Sequence, residues 1–333
     1  MPQRERVVLS IDGGGIRGSI PAMVIHYLEQ QTNRPAMELF DLVAGTSTGG
    51  IIGLGLALPS PTHSNKPRFS AKALADLYAQ RGSAIFHRSF WRRLRSLGGI
   101  FDETYNVSAL EQTLKDYFGD STMGELQIPT MVTAYDIEQR RTVFLKSFKP
   151  EHHSVRCTEA ARATSAAPTY FEPAQTAVAE QQHALIDGGV FINSPVVSAY
   201  AEALKLFPND RITVVSLGTG ELIRPISSKK ARSWGSAGWV LPLLDCMFDG
   251  VAKAADHQMG LFLGTKYQRF QLSLEHASDD MDDASPQNIE ALFKTAEVLI
   301  ERERERLDAL VGQLATLAEQ RQRLGAGMAP AVF

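Results

Sequence analysis

The chain has 333 residues, 44% of them hydrophobic and 21% charged, with a net charge of −3 and two cysteines. That length allows one large domain or two modest ones, and the composition is that of a globular chain, which excludes intrinsic disorder. The charge argues against a nucleic-acid polymer as partner, and two thiols, Cys157 and Cys246, are too few for a disulfide framework, so a reducing compartment is expected.

Met1 to Arg6 is short and polar, with no secretory apolar region before the first strand. No apolar run approaches the roughly 18 residues of a membrane-spanning helix. The expected location is cytoplasmic. Val7 to Ile11 reads as a buried strand running into Asp12-Gly13-Gly14-Gly15. Helical spacing follows over Pro21 to Gln31, with Pro21 suited to a first turn. Leu39 to Ala44 is a second apolar strand, ending in Gly45-Thr46-Ser47-Thr48-Gly49-Gly50, and Ile51 to Leu58 is an apolar helix stopped by Pro59. Strand, glycine turn and helix thus occur twice before Pro59, an order that favours a parallel sheet with helices on both faces.

Ser70 to Gln80 and Ser108 to Phe118 have amphipathic helical spacing. Met131 to Ile137 and Thr142 to Phe148 are expected to form an antiparallel hairpin. Cys157 to Ala163 reads as helix, Ala184 to Ile186 leads into Asp187-Gly188-Gly189, and Ile212 to Leu217 is a buried strand before Gly218-Thr219-Gly220. Trp234 to Val251 is unusually apolar for a surface segment. After the acidic turn Ser278 to Asp283, Gln287 to Leu324 reads as one long helix. Its stripe of Ile289, Leu292, Ala296, Leu299, Leu310, Leu314 and Leu317 is interrupted at Glu303, and it docks on its own domain or on a second copy of the chain.

Gly45-Thr46-Ser47-Thr48-Gly49 matches G-x-S-x-G. A serine at a strand-to-helix turn is pushed out at the carboxyl edge of the sheet, and flanking glycines leave room for the turn and for an acyl group. The amides that open the next helix favour a developing negative charge there. Gly13, Gly14 and Gly15, at the end of the first strand, offer bare backbone N–H groups of the kind that stabilise an oxyanion. Gly13-x-Gly15-x-x-Gly18 is also the dinucleotide fingerprint, but that reading needs an acidic residue at the end of the second strand. Glu38 and Asp41 lie before or at its start instead. For the base, Asp187 follows an apolar stretch and precedes two glycines, and burial would raise a lone carboxylate toward a working pKa. His257 and His276 also follow it, so a serine–aspartate–histidine order stays open, although neither stands at a clear strand end.

Together these residues resemble the bacterial patatin-like phospholipase family, whose signature is a D-G-G-G-x-R-G loop, an early G-x-S-x-G serine and a later D-G-G or D-G-A aspartate. Ala163 to Phe171 and Ser216 to Gly220 also look like family segments, so the resemblance runs from about Val7 to Gly220. It implies a three-layer α/β/α fold with a mostly parallel central sheet. It also implies a dyad of Ser47 as nucleophile and Asp187 as base, and an oxyanion loop of Gly13, Gly14, Gly15 and Arg17, with no metal or cofactor. The implied activity is cleavage of fatty-acyl esters of membrane phospholipids or lysophospholipids through an acyl-enzyme, by an enzyme peripheral to the inner membrane that touches its surface transiently.

Residues 1–275 are then expected to be the catalytic domain, and 276–333 a helical extension packed on it or on a partner subunit of a homodimer. Trp234 to Phe248 caps the acyl pocket, touches the bilayer, or is ordinary core. Arg88 to Arg95 is a basic, aromatic cluster that is either a solvated face or a contact for phosphate, from a lipid headgroup or a nucleotide. Some family members are anti-phage effectors switched on by cyclic nucleotides, and this chain's single-domain, leaderless make-up resembles them, so a cyclic dinucleotide activator is a second expectation. His152-His153 with Cys157 lacks the second ligand pair a metal site needs. A non-catalytic lipid-binding protein on the same fold is the reading from another class, which intact Ser47 and Asp187 oppose.

Overall fold

The computed structural model describes residues 3–85, 107–223 and 225–323. β1 (Glu5–Ile11) is the axis of the sheet. Val7, Val8, Leu9 and Ile11 are all fully buried, as a strand covered on both faces requires. Parallel to it on one side run β2 (Leu42–Gly45) and then β3 (Thr130–Asp136). Two strands lie antiparallel beside β3: its hairpin partner β4 (Arg141–Lys146), and β6 (Gln181–Asp187), which in turn pairs with β5 (Ala174–Val178). On the other side of β1 lie β7 (Arg211–Leu217) and β8 (Tyr267–Phe270), both parallel.

β3 is the strand at which the two ends of the chain's glycine turns converge. β4 pairs with β3 from Met131 to Asp136, so it occupies one edge for that length. β2 pairs with Thr130 to Val132 and β6 with Ala134 to Asp136. These two strands must therefore share the other edge, running toward each other. Gly45, the last residue of β2, stands beside Val132, and Asp187, the last of β6, beside Ala134. Two residues of strand separate those positions, or about 7 Å.

The helices, in chain order, are α1 (Ser19–Thr32), α2 (Ala36–Leu39), α3 (Thr48–Ala57), α4 (Ala71–Ile85), α5 (Val107–Phe118) and α6 (Cys157–Thr164). After these come α7 (Val196–Leu206), α8 (Ser228–Ala231), α9 (Ser236–Leu263), α10 (Pro286–Arg302) and α11 (Arg304–Arg323). Alternate β-residues point to opposite faces. Val7, Leu9 and Ile11 pack with α1, α4, α10 and α11, while Val8, Leu42 and Val214 pack with α7 and the end of α9. The expected α/β/α layering is present, with a parallel centre and antiparallel strands at one side.

Three local expectations shift. Leu39 closes the single turn α2, so the second strand starts at Leu42. The Glu29 carboxylate accepts from the Ala36 N–H at 2.9 Å and so satisfies one opening amide of that turn. β5 is a strand that the sequence pattern does not announce. The long C-terminal helix is present as α10 and α11, with Glu303 between them at φ −101°, ψ 15°. Glu303 is the residue that interrupts the apolar stripe.

Both helices lay that stripe on their own chain, against α1. Arg321 donates to the Asp41 carboxylate at 2.6 Å, and Asp41 also accepts from the Val7 N–H at 2.8 Å. The last helix is thereby tied to the first strand. Leu310 is 1% exposed on α11. Leu310→Ala should lower unfolding stability by about 2–4 kcal/mol in a denaturant titration, the range for emptying a buried leucine site. A loss below about 1 kcal/mol would show that the helix is not part of the cooperative core.

Candidate active site

The turn after β2 forces Ser47 into an unusual backbone, φ 55°, ψ −124°. Such a conformation is disfavoured for a residue with a Cβ and needs support from its surroundings. The support is close packing by glycines. A Cβ on Gly45 would lie 2.1 Å from the Gly49 carbonyl oxygen, and one on Gly49 would lie 2.3 Å from that of Ile11. The turn is thus pressed against the end of β1, and only hydrogen at both positions permits it.

Hydrogen bonds hold it there. The Ser47 N–H donates to Thr164 Oγ1 at 2.9 Å. Thr46 Oγ1 donates to the Ile192 carbonyl and is 2.8 Å from Thr133 Oγ1. Thr133 is the β3 residue between the two strand ends. It also meets Gly188, where a Cβ would lie 2.0 Å from its Oγ1.

A serine before a helix ordinarily caps it with its hydroxyl. Ser47 does not cap α3. Its hydroxyl shares the pocket with the Asp187 carboxylate and lies close enough to favour that group's charged form. Asp187 is 2% exposed and also accepts from the Gly189 N–H at 2.7 Å. Burial pushes its pKa up to about 7, against the opposing pull of the Ser47 hydroxyl and the Gly189 hydrogen bond. The structure therefore brings together the two residues that sequence reasoning pairs.

Gly14 and Gly15 line the same pocket as Ser47 and Asp187. Their N–H groups have no acceptor among the described residues. Gly15 has φ +58°, and a Cβ there would strike the Met281 carbonyl oxygen at 2.2 Å. Gly13 and Arg17 are placed differently. The Gly13 N–H donates to the Asn193 carbonyl at 3.0 Å. The buried Arg17 guanidinium donates to the Gly14 and Asp279 carbonyls at 3.3 and 3.4 Å. It faces a second, polar pocket of about 500 Å³ shared with Asp12, Asp245 and Arg269.

The pocket holding Ser47 spans about 830 Å³ including the solvent at its mouth, with walls from Ile51, Leu77, Leu110, Leu114, Phe171 and Phe248. An apolar enclosure of this size suits a hydrocarbon chain and keeps water from screening the carboxylate. Neither His257 nor His276 lines it; both are exposed. Both cysteines are free, and no group of metal-ligating side chains occurs among the described residues. Asp41, a candidate ribose acceptor by position alone, is bonded to Arg6, Arg321 and the Val7 N–H. The Arg88 to Arg95 cluster lies outside the described residues. Sequence reasoning misses Thr133, Asn193 and Met281, whose roles depend on chain pairing that no local motif records. Thr164 stands out in the sequence only as part of a resembling segment.

A family model described as patatin-like phospholipase matches residues 9–200, more than half of the chain. Patatin-like protein 2 of Oryza sativa subsp. indica is 28% identical over 93% of this chain and 87% of its own length. Patatin-04/09 of Solanum tuberosum is also 28% identical, over 97% of this chain and 92% of its own. Among solved structures, human GIVD cytosolic phospholipase A2 matches with a TM-score of 0.49 at 10% identity, covering 94% of this chain and 63% of that one.

The raised Asp187 pKa carries a stability consequence whose sign is definite. Below about pH 4 the folded and unfolded states both hold the proton, and Asp187 contributes nothing. Between there and about pH 7 only the unfolded chain releases it, so stability falls as pH rises. Above that the full penalty, on the order of 4 kcal/mol, is in place. Asp187→Asn should therefore stabilise the fold more at pH 8 than at pH 5, as read from denaturant midpoints. Equal shifts at both pH values would mean that the carboxylate is not held protonated by burial.

Proposed function

The chain belongs to the patatin-like phospholipase family, a family of lipid acyl hydrolases, and on that premise we propose that it cleaves fatty-acyl esters of phospholipids or lysophospholipids through a Ser47–Asp187 dyad. The observation that carries this reading is the Ser47 hydroxyl beside a buried carboxylate in an apolar pocket that no histidine lines among the described residues.

In this mechanism the acyl chain lies against Leu110, Leu114 and Phe171, with its ester carbonyl above Ser47. Ser47 Oγ attacks the carbonyl carbon and its proton passes to Asp187. The oxyanion that forms is held by the Gly14 and Gly15 N–H groups, each worth on the order of 3 kcal/mol of barrier. The opening amides of α3 add favourable charge. Gly13 and Arg17 act one step back, holding the loop through Asn193 and through the Gly14 carbonyl. Collapse expels the alcohol, which takes the proton from Asp187 and leaves an acyl-enzyme on Ser47. Water, deprotonated by Asp187, then attacks the acyl carbon, and collapse returns that proton from Asp187 to Ser47 Oγ as the fatty acid leaves.

No helix among the described residues is long and apolar enough to cross a membrane. The proposed enzyme reaches its substrate from the aqueous side. Residues 1–275 supply every group in the scheme. Residues from 276 onward act as a brace, with Met281 fixing the glycine loop through the Ile16 N–H at 2.9 Å.

Ser47→Ala should reduce hydrolysis of a p-nitrophenyl acyl ester by about 10⁴-fold or more, as expected when an activated nucleophile is lost. His257→Gln and His276→Gln should leave it unchanged. Since Asp187 acts as a base only when ionised, kcat/KM should be half-maximal near pH 7 and fall about tenfold per unit below it. A flat profile from pH 5 to 8, or undiminished turnover in the Ser47 variant, removes the dyad from the mechanism.

A further inference from the structure

α9 turns an apolar stripe to solvent. A surface helix ordinarily turns its apolar stripe inward and its charges outward. On this helix Trp239, Val240, Leu243, Met247 and Leu261 are exposed, by 38%, 44%, 50%, 38% and 73% of their surface. At about 100° per residue they fall within roughly 60° of the Leu243 direction. Ser236, Cys246, Gly250, Ala254, His257 and Gln258 complete that sector, and it contains no Asp, Glu, Lys or Arg. The acidic residues of the helix, Asp245, Asp249 and Asp256, lie on the other side, lining the polar pocket beside Asp12 and Arg17.

We propose that this outward stripe of α9 is the surface by which the protein docks on an anionic lipid bilayer. The proposal rests on the hydrolase reading above and deepens it by naming how the pocket meets its substrate. Three observations select a lipid surface as the occupant. Phe248, on the inner side of the same helix, is a wall of the Ser47 pocket. The stripe therefore lies about one helix diameter, roughly 10 Å, from that pocket. The N-terminal end of the stripe carries Trp234 and Trp239, packed edge to face at 5.2 Å. Indole rings with one polar edge suit the boundary between headgroups and acyl chains. Lys229 and Arg232, both exposed, precede this end and provide charge complementary to anionic headgroups. Ile223 and Ile226, in the connecting segment before α8, are exposed as well.

The test is flotation of the intact protein with phosphatidylcholine vesicles, with and without phosphatidylglycerol. Wild type should float, more so with the anionic lipid and less in high salt. Leu243→Gln combined with Leu261→Gln changes two exposed side chains and should leave the circular dichroism spectrum unaltered. Vesicle binding should fall about 10- to 100-fold, while hydrolysis of a water-soluble short-chain ester stays at the wild-type rate. Leu204→Gln, at a leucine 44% exposed on α7 and outside the stripe, should bind vesicles as wild type does. Unchanged flotation of the double variant overturns the proposal. So does a wild-type dimer that the double variant splits without loss of vesicle binding, since a second copy would then be the occupant. Failure of the hydrolase reading is separate: it would appear as short-chain ester cleavage that Ser47→Ala does not affect.

Discussion

The divided edge of β3 is the constraint on which the site depends. Ser47 and Asp187 are 140 positions apart in the chain (187 − 47), and neither carries a signal for the other. They meet because β2 and β6 end at positions two residues apart on one strand, approaching from opposite directions. Neither strand can slip without a clash. A one-residue shift of β2 would turn its buried side chains to the wrong face. A shift of β6 would drive Gly188 into Thr133 or pull it away. Thr133 fills the gap, bonded to Thr46 on one side and packed on Gly188 on the other. The juxtaposition of Ser47 and Asp187 is therefore a consequence of register, maintained by the whole sheet rather than by the two loops.

The electrostatics follow from the same placement. Closing the gap buries Asp187 completely, and the Gly189 N–H and the Ser47 hydroxyl cannot restore the solvation it loses. An aspartate in water is too weak a base to take a serine proton; one held near pH 7 by a dry site is better matched. The loop opposite shows the complementary balance. Of three consecutive glycines, Gly13 gives its N–H to the Asn193 carbonyl, while Gly14 and Gly15, which line the pocket, have no acceptor for theirs among the described residues. Donors left unsatisfied in the resting protein are what an oxyanion site requires.

What can be read from the chain divides along the same line. Punctuation is legible: glycine-rich turns after apolar strands locate Ser47, Asp187 and the glycine loop Gly13 to Gly15, and hairpin spacing locates β3 and β4. Pairing is not. Nothing in Gln181 to Asp187 says that β6 runs antiparallel, and Ala174 to Val178 is too weakly apolar to announce β5. From the motif alone the glycine loop reads as three equivalent donors, because a motif does not show which amides are already bonded. Arg17 groups with them for the same reason, although its side chain turns toward the polar pocket. Glu303 is visible in the sequence as a break in the stripe, but only backbone dihedrals show that it divides one helix into two.

The inverted polarity of α9 has a cause in the sheet beneath it. The ends of β1, β7 and β8 bring Asp12, Ser216 and Arg269 together, with the Arg269 guanidinium 2.6 Å from Asp12 and 2.8 Å from Ser216. One Asp12 carboxylate oxygen has no hydrogen-bond partner there. An apolar helix face laid over these groups would strip their remaining hydration, which is strongly unfavourable for ions. The fold covers them instead with the acidic, polar side of α9 and leaves a solvent-sized pocket between. Asp245, Lys253 and Asp256 on that side keep part of their surface in water, and the side turned away from the pocket is apolar. The charge cluster that anchors the glycine loop thus also sets which face of α9 meets the surroundings.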